Sequence, residues 1–184
     1  MGAVRSYSGF ITSDYQMIGT TANHSIHIYE NYGNNSFFFS YAIDTVVTKN
    51  VKLLRLSEDG TFLVASLTSY SSILVYTRQI GSIAFSLNQT ITLQTSYTWK
   101  PSLTLDHMHI VVGDQISSIY YVQIYSYNTA THQFDPPADP TFISTNSEIV
   151  IYASLSEDKK YLAVSTTDAM YLYSSPLSSS PVLE

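Results

Sequence analysis

The sequence contains no cysteine, and only 12% of its 184 residues are charged. The absence of cysteine excludes disulfide frameworks, thiolate zinc sites and cysteine nucleophiles together. Eight Lys and Arg stand against fourteen Asp and Glu, which gives a formal charge of −6. Because so few basic residues cannot neutralise a run of phosphates, a nucleic-acid partner is not expected.

Long apolar runs are absent as well. No apolar stretch approaches the 18 residues or so that a membrane-spanning helix needs, so no membrane span is expected. The first residues, Met1 to Arg5, have no apolar core of the kind found in secretory signals.

Good helix formers are scarce, whereas residues that suit strands are abundant. Ala, Glu, Lys and Arg together number 23, but Val, Ile, Thr, Tyr, Phe and Trp number 72 of 184. The second group fits a pleated surface, and the first is too small to cover several exposed helices. The composition predicts an all-β fold in a single domain, residues 1–184.

One pattern occurs four times along the chain: an apolar strand, a polar turn with an acidic residue, a second apolar strand, and a third strand that ends in tyrosine. The turn acids are Asp14, Asp59, Asp106 and Asp158, spaced by 45, 47 and 52 residues. The closing tyrosines are Tyr29, Tyr76, Tyr125 and Tyr173, spaced by 47, 49 and 48 residues. Two markers that stay in step indicate an internal repeat.

The strands of this pattern carry apolar residues without alternation, for example Thr61 to Ala65 and Ile73 to Tyr76. Such strands need cover on both faces, which sheets stacked face to face provide. Four strands in each period of about 45 to 50 residues are typical of a β-propeller blade. The sequence therefore predicts a propeller of four blades with four antiparallel strands each, at approximately residues 4–47, 48–95, 96–145 and 146–184.

The segment from Leu56 to Ser66, followed by Val75-Tyr76-Thr77-Arg78, resembles the core of a WD-type blade. It resembles equally the FG-GAP repeats of integrin-type propellers, whose blades often end in a similar Val-Tyr/Phe-Thr-Arg. The resemblance extends over the whole chain and implies a propeller fold.

Three arrangements of the four blades remain open. The chain forms a self-closed ring, or half of an eight-bladed ring made by two copies, or an arc cut from a longer propeller. Pro176 and Pro181 follow the last tyrosine, so a paired fourth strand is doubtful there.

Catalytic constellations are not found. The sequence has no phosphate-binding glycine loop, nucleophile elbow or metalloprotease helix motif. His107 and His109 share one face of a predicted strand, but the only nearby carboxylate in sequence is Asp106, so neither a metal site nor a cofactor is predicted. The turn acids are interpreted as structural, because solvated carboxylates on hairpins are not tuned for proton transfer.

Aromatic residues are concentrated in the predicted third blade: Tyr97, Trp99, Tyr120, Tyr121 and Tyr127. Exposed Tyr and Trp suit a binding face for a protein, and a glycan is a second candidate ligand. Packing between blades is the alternative role of these rings.

Three asparagines, Asn23, Asn34 and Asn88, begin glycosylation sequons that matter only outside the cell. Low charge and the many Ser, Thr, Tyr and Asn residues favour an extracellular or cell-surface location, and a cytoplasmic one remains open.

These observations predict a non-catalytic propeller module for protein–protein interaction or assembly, possessing no enzyme activity. The first alternative is a lyase or hydrolase with its site at the mouth of the propeller channel. The second is a purely structural unit that assembles with itself.

Overall fold

The computed structural model describes residues 8–12, 16–22, 24–34, 36–45, 51–57, 59–67, 72–93, 102–103, 108–116, 119–137, 142–143, 148–178 and 181–184. These residues form seventeen strands and no helix. Accordingly, no helix in the described part of the chain is long and apolar enough to cross a membrane. The predicted all-β class is confirmed.

The strands make four separate antiparallel sheets, each from consecutive strands. Sheet 1 contains β1 (Gly9–Ile11), β2 (Met17–Ala22), β3 (Ser25–Asn31) and β4 (Phe37–Asp44). Sheet 2 contains β5 (Val51–Leu56), β6 (Phe62–Leu67), β7 (Ser72–Thr77) and β8 (Ser86–Thr92). Sheet 3 contains β9 (Ser102–Leu103), β10 (His109–Ile116), β11 (Ile119–Asn128), β12 (Gln133–Asp135) and β13 (Phe142–Ile143). Sheet 4 contains β14 (Val150–Leu155), β15 (Tyr161–Thr166), β16 (Met170–Ser174) and β17 (Val182–Leu183).

Neighbouring strands in sequence are neighbours in each sheet, and in sheet 3 β13 adds to β11 beside the order β12-β11-β10-β9. The doubt about a fourth strand in sheet 4 was wrong, because β17 pairs with β16. Pro181 lies just before β17 on the edge of the sheet, where proline removes no ladder hydrogen bond.

Three apolar cores join the sheets in chain order. The first lies between sheets 1 and 2 and contains Ile28 and Leu63. The second lies between sheets 2 and 3 and contains Val75 and Tyr125. The third lies between sheets 3 and 4 and contains Ile124. Sheets 2 and 3 are therefore covered on both faces, which explains why their strands are apolar without alternation.

An amide bridge adds to the joint between sheets 2 and 3. The side chain of Gln89 donates to the Phe134 carbonyl oxygen at 2.9 Å and accepts from the Phe134 N–H at 2.8 Å. The Gln89 side chain thereby satisfies both backbone hydrogen-bonding groups of Phe134 in β12, as a neighbouring strand would do.

The third strands share one register. In each sheet an apolar–tyrosine pair lies in the third strand: Ile28-Tyr29, Val75-Tyr76, Ile124-Tyr125 and Leu172-Tyr173. Each tyrosine is opposite the second residue of the second strand: Ile18, Leu63, Ile110 or Leu162. Because successive side chains of a strand point to opposite faces, each pair sends its two members to different sides of the sheet.

Candidate functional site

Arg78 follows β7 and is held by the loop that leads to β8. Its Nε donates to the Gly60 carbonyl oxygen and its Nη1 donates to the Ser82 carbonyl oxygen at 2.9 Å. The guanidinium lies over the Phe85 ring, with Cζ 5.4 Å from the ring centroid. In the described part of the chain no carboxylate pairs with this cation.

A groove of about 400 Å³ opens beside Arg78 between sheets 2 and 3. His132 lies on the far side in a turn with φ of 56°. Its Nδ1 is 3.2 Å from the Tyr127 hydroxyl oxygen, and its carbonyl oxygen accepts from the Asn88 side chain at 2.8 Å. Thr61 and Thr77 complete the polar lining. Arginine, imidazole, amide and hydroxyl groups converge here on one space.

A second groove, of about 210 Å³, lies on the other side of Arg78 between sheets 1 and 2. Its lining includes Glu30, Gln16 and Asn31 together with Arg78. The Glu30 carboxylate accepts a hydrogen bond from the Ser40 hydroxyl. This groove therefore brings one carboxylate and one guanidinium to the same space.

Tyr41 is affected by the charges of both Arg78 and Glu30. Its hydroxyl donates to the Ile83 carbonyl oxygen and accepts from the Phe85 N–H at 3.1 Å. Burial raises the pKa of Tyr41; the Phe85 hydrogen bond and the Arg78 charge lower it, and the Glu30 charge raises it. The hydroxyl therefore fixes the loop that carries Arg78 rather than serving as a ready base.

A buried carboxylate, Glu148, lies just before β14, at the end of sheet 4 opposite the Asp158 turn. It accepts from the Thr166 hydroxyl at 2.7 Å and from the Tyr171 hydroxyl at 2.9 Å. The hydrogen bond to Glu148 is the main cause that raises the pKa of Tyr171. This cluster ties the chain entering sheet 4 to the turn after β15.

The turn acids that the structure describes are solvent-exposed and bound to their own turns. Asp59 accepts from the Ser57 hydroxyl at 2.9 Å and from the Thr61 N–H at 2.8 Å. Asp158 accepts from the Ser156 hydroxyl at 2.8 Å, and its other oxygen is 3.2 Å from Lys160 Nζ. The Ser156 hydrogen bond is the main cause that lowers the pKa of Asp158. Asp14 and Asp106 lie outside the described residues.

The aromatic residues suggested as a binding face are divided between two faces of sheet 3. Tyr120 packs against the core shared with sheet 4, and Tyr127 packs against the core shared with sheet 2. Tyr121 is buried. Tyr97 and Trp99 lie outside the described residues.

Among the sequon asparagines, Asn34 is exposed in a turn and Asn88 lines the larger groove. Asn23 and His107 lie outside the described residues, and His109 is buried. The described residues include no group of three His, Asp or Glu that could hold a metal ion.

Sequence reasoning did not identify Arg78, His132 or Glu30 as site residues. A usable signal existed for Arg78, which is one of only three arginines and directly follows an apolar strand. For His132 no local signal existed, because its groove partner Asn88 is 44 residues away.

No protein-family model matches the sequence, and no curated protein matches it. Solved structures do match. One named as a putative 6-phosphogluconolactonase, from Bacteroides uniformis, superposes with a TM-score of 0.77 at 14% identity, covering 98% of this chain and 54% of its own. Another with that name, from Bacteroides fragilis, gives 0.74 at 13% identity, covering 98% and 53%. The periplasmic gluconolactonase of Pseudomonas aeruginosa gives 0.70 at 13% identity, covering 97% and 52%.

These matches correct the predicted family resemblance and the predicted function. The resemblance to WD and FG-GAP repeats was wrong, because the three solved structures described above carry the names of gluconolactonases and not of those repeat families. Short apolar strands with an Asp turn arise wherever four-stranded sheets stack face to face, so they do not identify a family. The prediction of a non-catalytic module possessing no enzyme activity was also wrong, since these three structures carry the names of hydrolytic enzymes and favour the hydrolase alternative. At such low identity the likeness establishes a shared fold, and the chain spans about half the length of these neighbours.

Proposed function

We propose that this chain belongs to a lactone hydrolase that acts on sugar-acid lactones. The observation that carries the proposal is the superposition of 98% of the chain, with a TM-score of 0.77, on a structure named as a putative 6-phosphogluconolactonase. The groove residues described above have the chemistry that such a reaction requires.

The four sheets are, in this proposal, blades arranged around a common axis, in one domain with boundaries near residues 47, 95 and 145. Support comes from contacts between the first strands of consecutive sheets, β1 with β5 and β5 with β9. The cores between consecutive sheets and their shared register also support equivalent blades.

Lactone hydrolysis adds water to the carbonyl carbon and breaks the ring C–O bond. The proton lost by the water ends on the alkoxide that leaves, and the product is a hydroxy acid. A carboxylate that accepts and returns this proton, and a cationic donor that stabilises the oxyanion, are the groups needed. In the groove of about 210 Å³, Glu30 is the proposed base and Arg78 the proposed oxyanion donor.

The groove of about 400 Å³ on the other side of Arg78 is the proposed place for the rest of the substrate. Its hydroxyl and amide groups, from Thr61, Thr77 and Asn88, match the hydroxyls of a sugar acid. His132 and Arg78 together favour a substrate that carries negative charge.

The proposal is tested by measuring proton release from gluconolactone and its 6-phosphate above the spontaneous rate. Arg78→Lys keeps the charge but loses the planar fork, and we expect kcat to fall by about 10²-fold. Glu30→Gln removes the base and should lower kcat with little change in KM. Arg55→Lys is the matched control, because Arg55 binds only its own neighbour's carbonyl oxygen among the described residues and lines neither groove. Wild-type protein that leaves the spontaneous rate unchanged would refute the proposal.

A further inference from the structure

Sheets 1 and 4 each have one face that no core covers. In the described residues the three cores join sheet 1 to sheet 2, sheet 2 to sheet 3 and sheet 3 to sheet 4. Sheets 1 and 4 therefore each have one face turned away from the other sheets. We refer to them as the end face of sheet 1 and the end face of sheet 4.

The end face of sheet 1 is defined by a row of side chains across its four strands: Ile11, Ile18, Tyr29 and Phe39. The corresponding row in sheet 2 is Leu56, Leu63, Tyr76 and Leu87. That row faces the preceding sheet, and Leu63 and Tyr76 are buried in the first core. In sheet 1 the same row faces no described sheet, and Ile11 and Phe39 are 51% and 56% exposed.

Aromatic rings contact one another on the end face of sheet 1. The Phe39 ring makes edge contacts with the rings of His27 and Tyr29, at centroid distances of 5.4 and 5.8 Å. Three rings thus pack edge to face on this surface. Exposed apolar side chains that lie next to one another are typical of a contact site.

The end face of sheet 4 is defined by Ala163, Ser165, Met170 and Leu172. Leu172 occupies the register of Val75 and Ile124, which are 0% and 3% exposed because the next sheet covers them. Met170 occupies the register of Ile73, which is fully buried. In sheet 4 no described sheet follows, and Leu172 and Met170 are 44% and 78% exposed.

The two end faces are therefore the two halves of a joint that this chain makes three times internally. One has the register that packs on a preceding sheet, and the other has the register that packs on a following sheet. None of the eight residues that define the two faces is charged, so packing these two rows together buries no unpaired charge from either row.

We propose that a second copy of this chain covers both end faces, with sheet 4 of each copy packed against sheet 1 of the other. The contact is heterologous, and two such contacts close a ring of eight sheets. Each copy supplies both kinds of face. Two copies also have about the same total length as one of the solved neighbours, because one copy covers 54% of that neighbour's length. This inference rests on sheet register and is independent of the proposed reaction.

Sedimentation equilibrium of the 184-residue chain at a series of concentrations tests the proposal. The expected mass is twice 20.6 kDa. Phe39→Asp and Leu172→Asp each place a charge in one end face, and each variant alone is expected at 20.6 kDa. Ile80→Asp is the matched control, because Ile80 is exposed in the loop between β7 and β8 and should leave the mass doubled.

Mixing the two variants distinguishes the proposed contact from a symmetric one. Phe39→Asp retains an intact sheet 4 and Leu172→Asp retains an intact sheet 1, so an equimolar mixture should form one-to-one pairs. A mixture that stays monomeric, when the wild type is dimeric, overturns the heterologous contact. A monomeric wild type overturns the second copy as occupant and assigns the faces to other sheets. Growth beyond two copies overturns closure of the ring.

Discussion

The guanidinium of Arg78 lies directly against the backbone of Gly60. Nε donates to the Gly60 carbonyl oxygen, and a Cβ placed on Gly60 would lie 2.5 Å from Nη2. Gly60 also has a φ of +69°, a backbone conformation that residues other than glycine rarely adopt. The turn between β5 and β6 thus forms part of the support for a cation shared by two grooves.

We expect Gly60→Ala to lower the free energy of unfolding by about 1–3 kcal/mol, because it strains the backbone. It should also displace Arg78 and weaken binding of inorganic phosphate or gluconate, as measured by calorimetry. Gly81→Ala is the control: Gly81 has a φ of +84° but no atom within 4 Å of its added Cβ. A loss of anion binding of equal size in both variants would contradict the role of the Gly60 contact.

The buried Tyr76 predicts a loss of stability at high pH. Burial raises the pKa of its hydroxyl from 10.0 to about 12. The contribution of the neutral Tyr76 hydroxyl to the free energy of unfolding is complete below pH 10. It is lost as the pH rises toward 12, because this hydroxyl ionises at a lower pH in the unfolded chain than in the folded protein. The slope of unfolding free energy against pH in this range, up to about 1.4 kcal/mol per pH unit, should be reduced in Tyr76→Phe.

Tyr173 provides a second instance, since burial is the main cause that raises its pKa to about 12. Its side chain is less buried than that of Tyr76, so the reduction in slope for Tyr173→Phe should be smaller. Denaturant unfolding at pH 9, 10 and 11 measures both. Slopes that remain at the wild-type value would show that alkaline unfolding has another origin.

The Asp158 turn predicts a specific order of pKa changes. The carboxyl pKa lies below 3.8, chiefly through the Ser156 hydroxyl and the Lys160 N–H, and less through the Lys160 side chain. Ser156→Ala should therefore raise the pKa of Asp158 more than Lys160→Gln does, as measured by NMR titration of the carboxyl carbon. Because the pKa is lowered on folding, this turn stabilises the protein above pH 3.8, and the effect is lost as the pH falls through the folded value. The reverse order would mean that charge, rather than hydrogen bonding, controls this turn.

The Glu148 cluster predicts that hydroxyls, not ring packing, stabilise the start of sheet 4. Tyr171→Phe removes a hydrogen bond to a buried carboxylate and should lower the free energy of unfolding by more than Tyr152→Phe does. Tyr152→Phe, at an exposed position of β14, should change it by less than about 0.5 kcal/mol. Thr166→Ser keeps the second donor to Glu148 and should be close to wild type, whereas Thr166→Val should not.

Part of this structure could be predicted from local pattern. Residues 61–65 and 73–76 were predicted to be strand segments without alternation, and in the structure residues 62–65 and 73–76 lie in strands covered on both faces. Asp59 was predicted to lie in a polar turn between two strands, and on either side of it the Gly60 N–H indeed donates to the Ser57 carbonyl oxygen at 2.9 Å. Such features follow from a few adjacent residues, because strand period and turn conformation are local properties.

The candidate site could not be predicted in this way. Arg78, His132 and Glu30 come from three different sheets, and only the stacking of those sheets brings their side chains to neighbouring grooves. The family was mistaken for a related reason: the pattern that was recognised reports two-sided burial, which unrelated stacked sheets share.

Leu172 and Val75 show where the division lies. Each precedes a tyrosine in the third strand of its sheet, and their local sequences predict the same strand and the same register. The amino-acid sequence by itself determined that this chain makes antiparallel sheets of short, apolar strands joined by polar turns. Only the tertiary structure decided that Val75 is covered and Leu172 is exposed. Burial of these side chains depends on whether another sheet packs against that face, and such packing joins residues far apart in the chain.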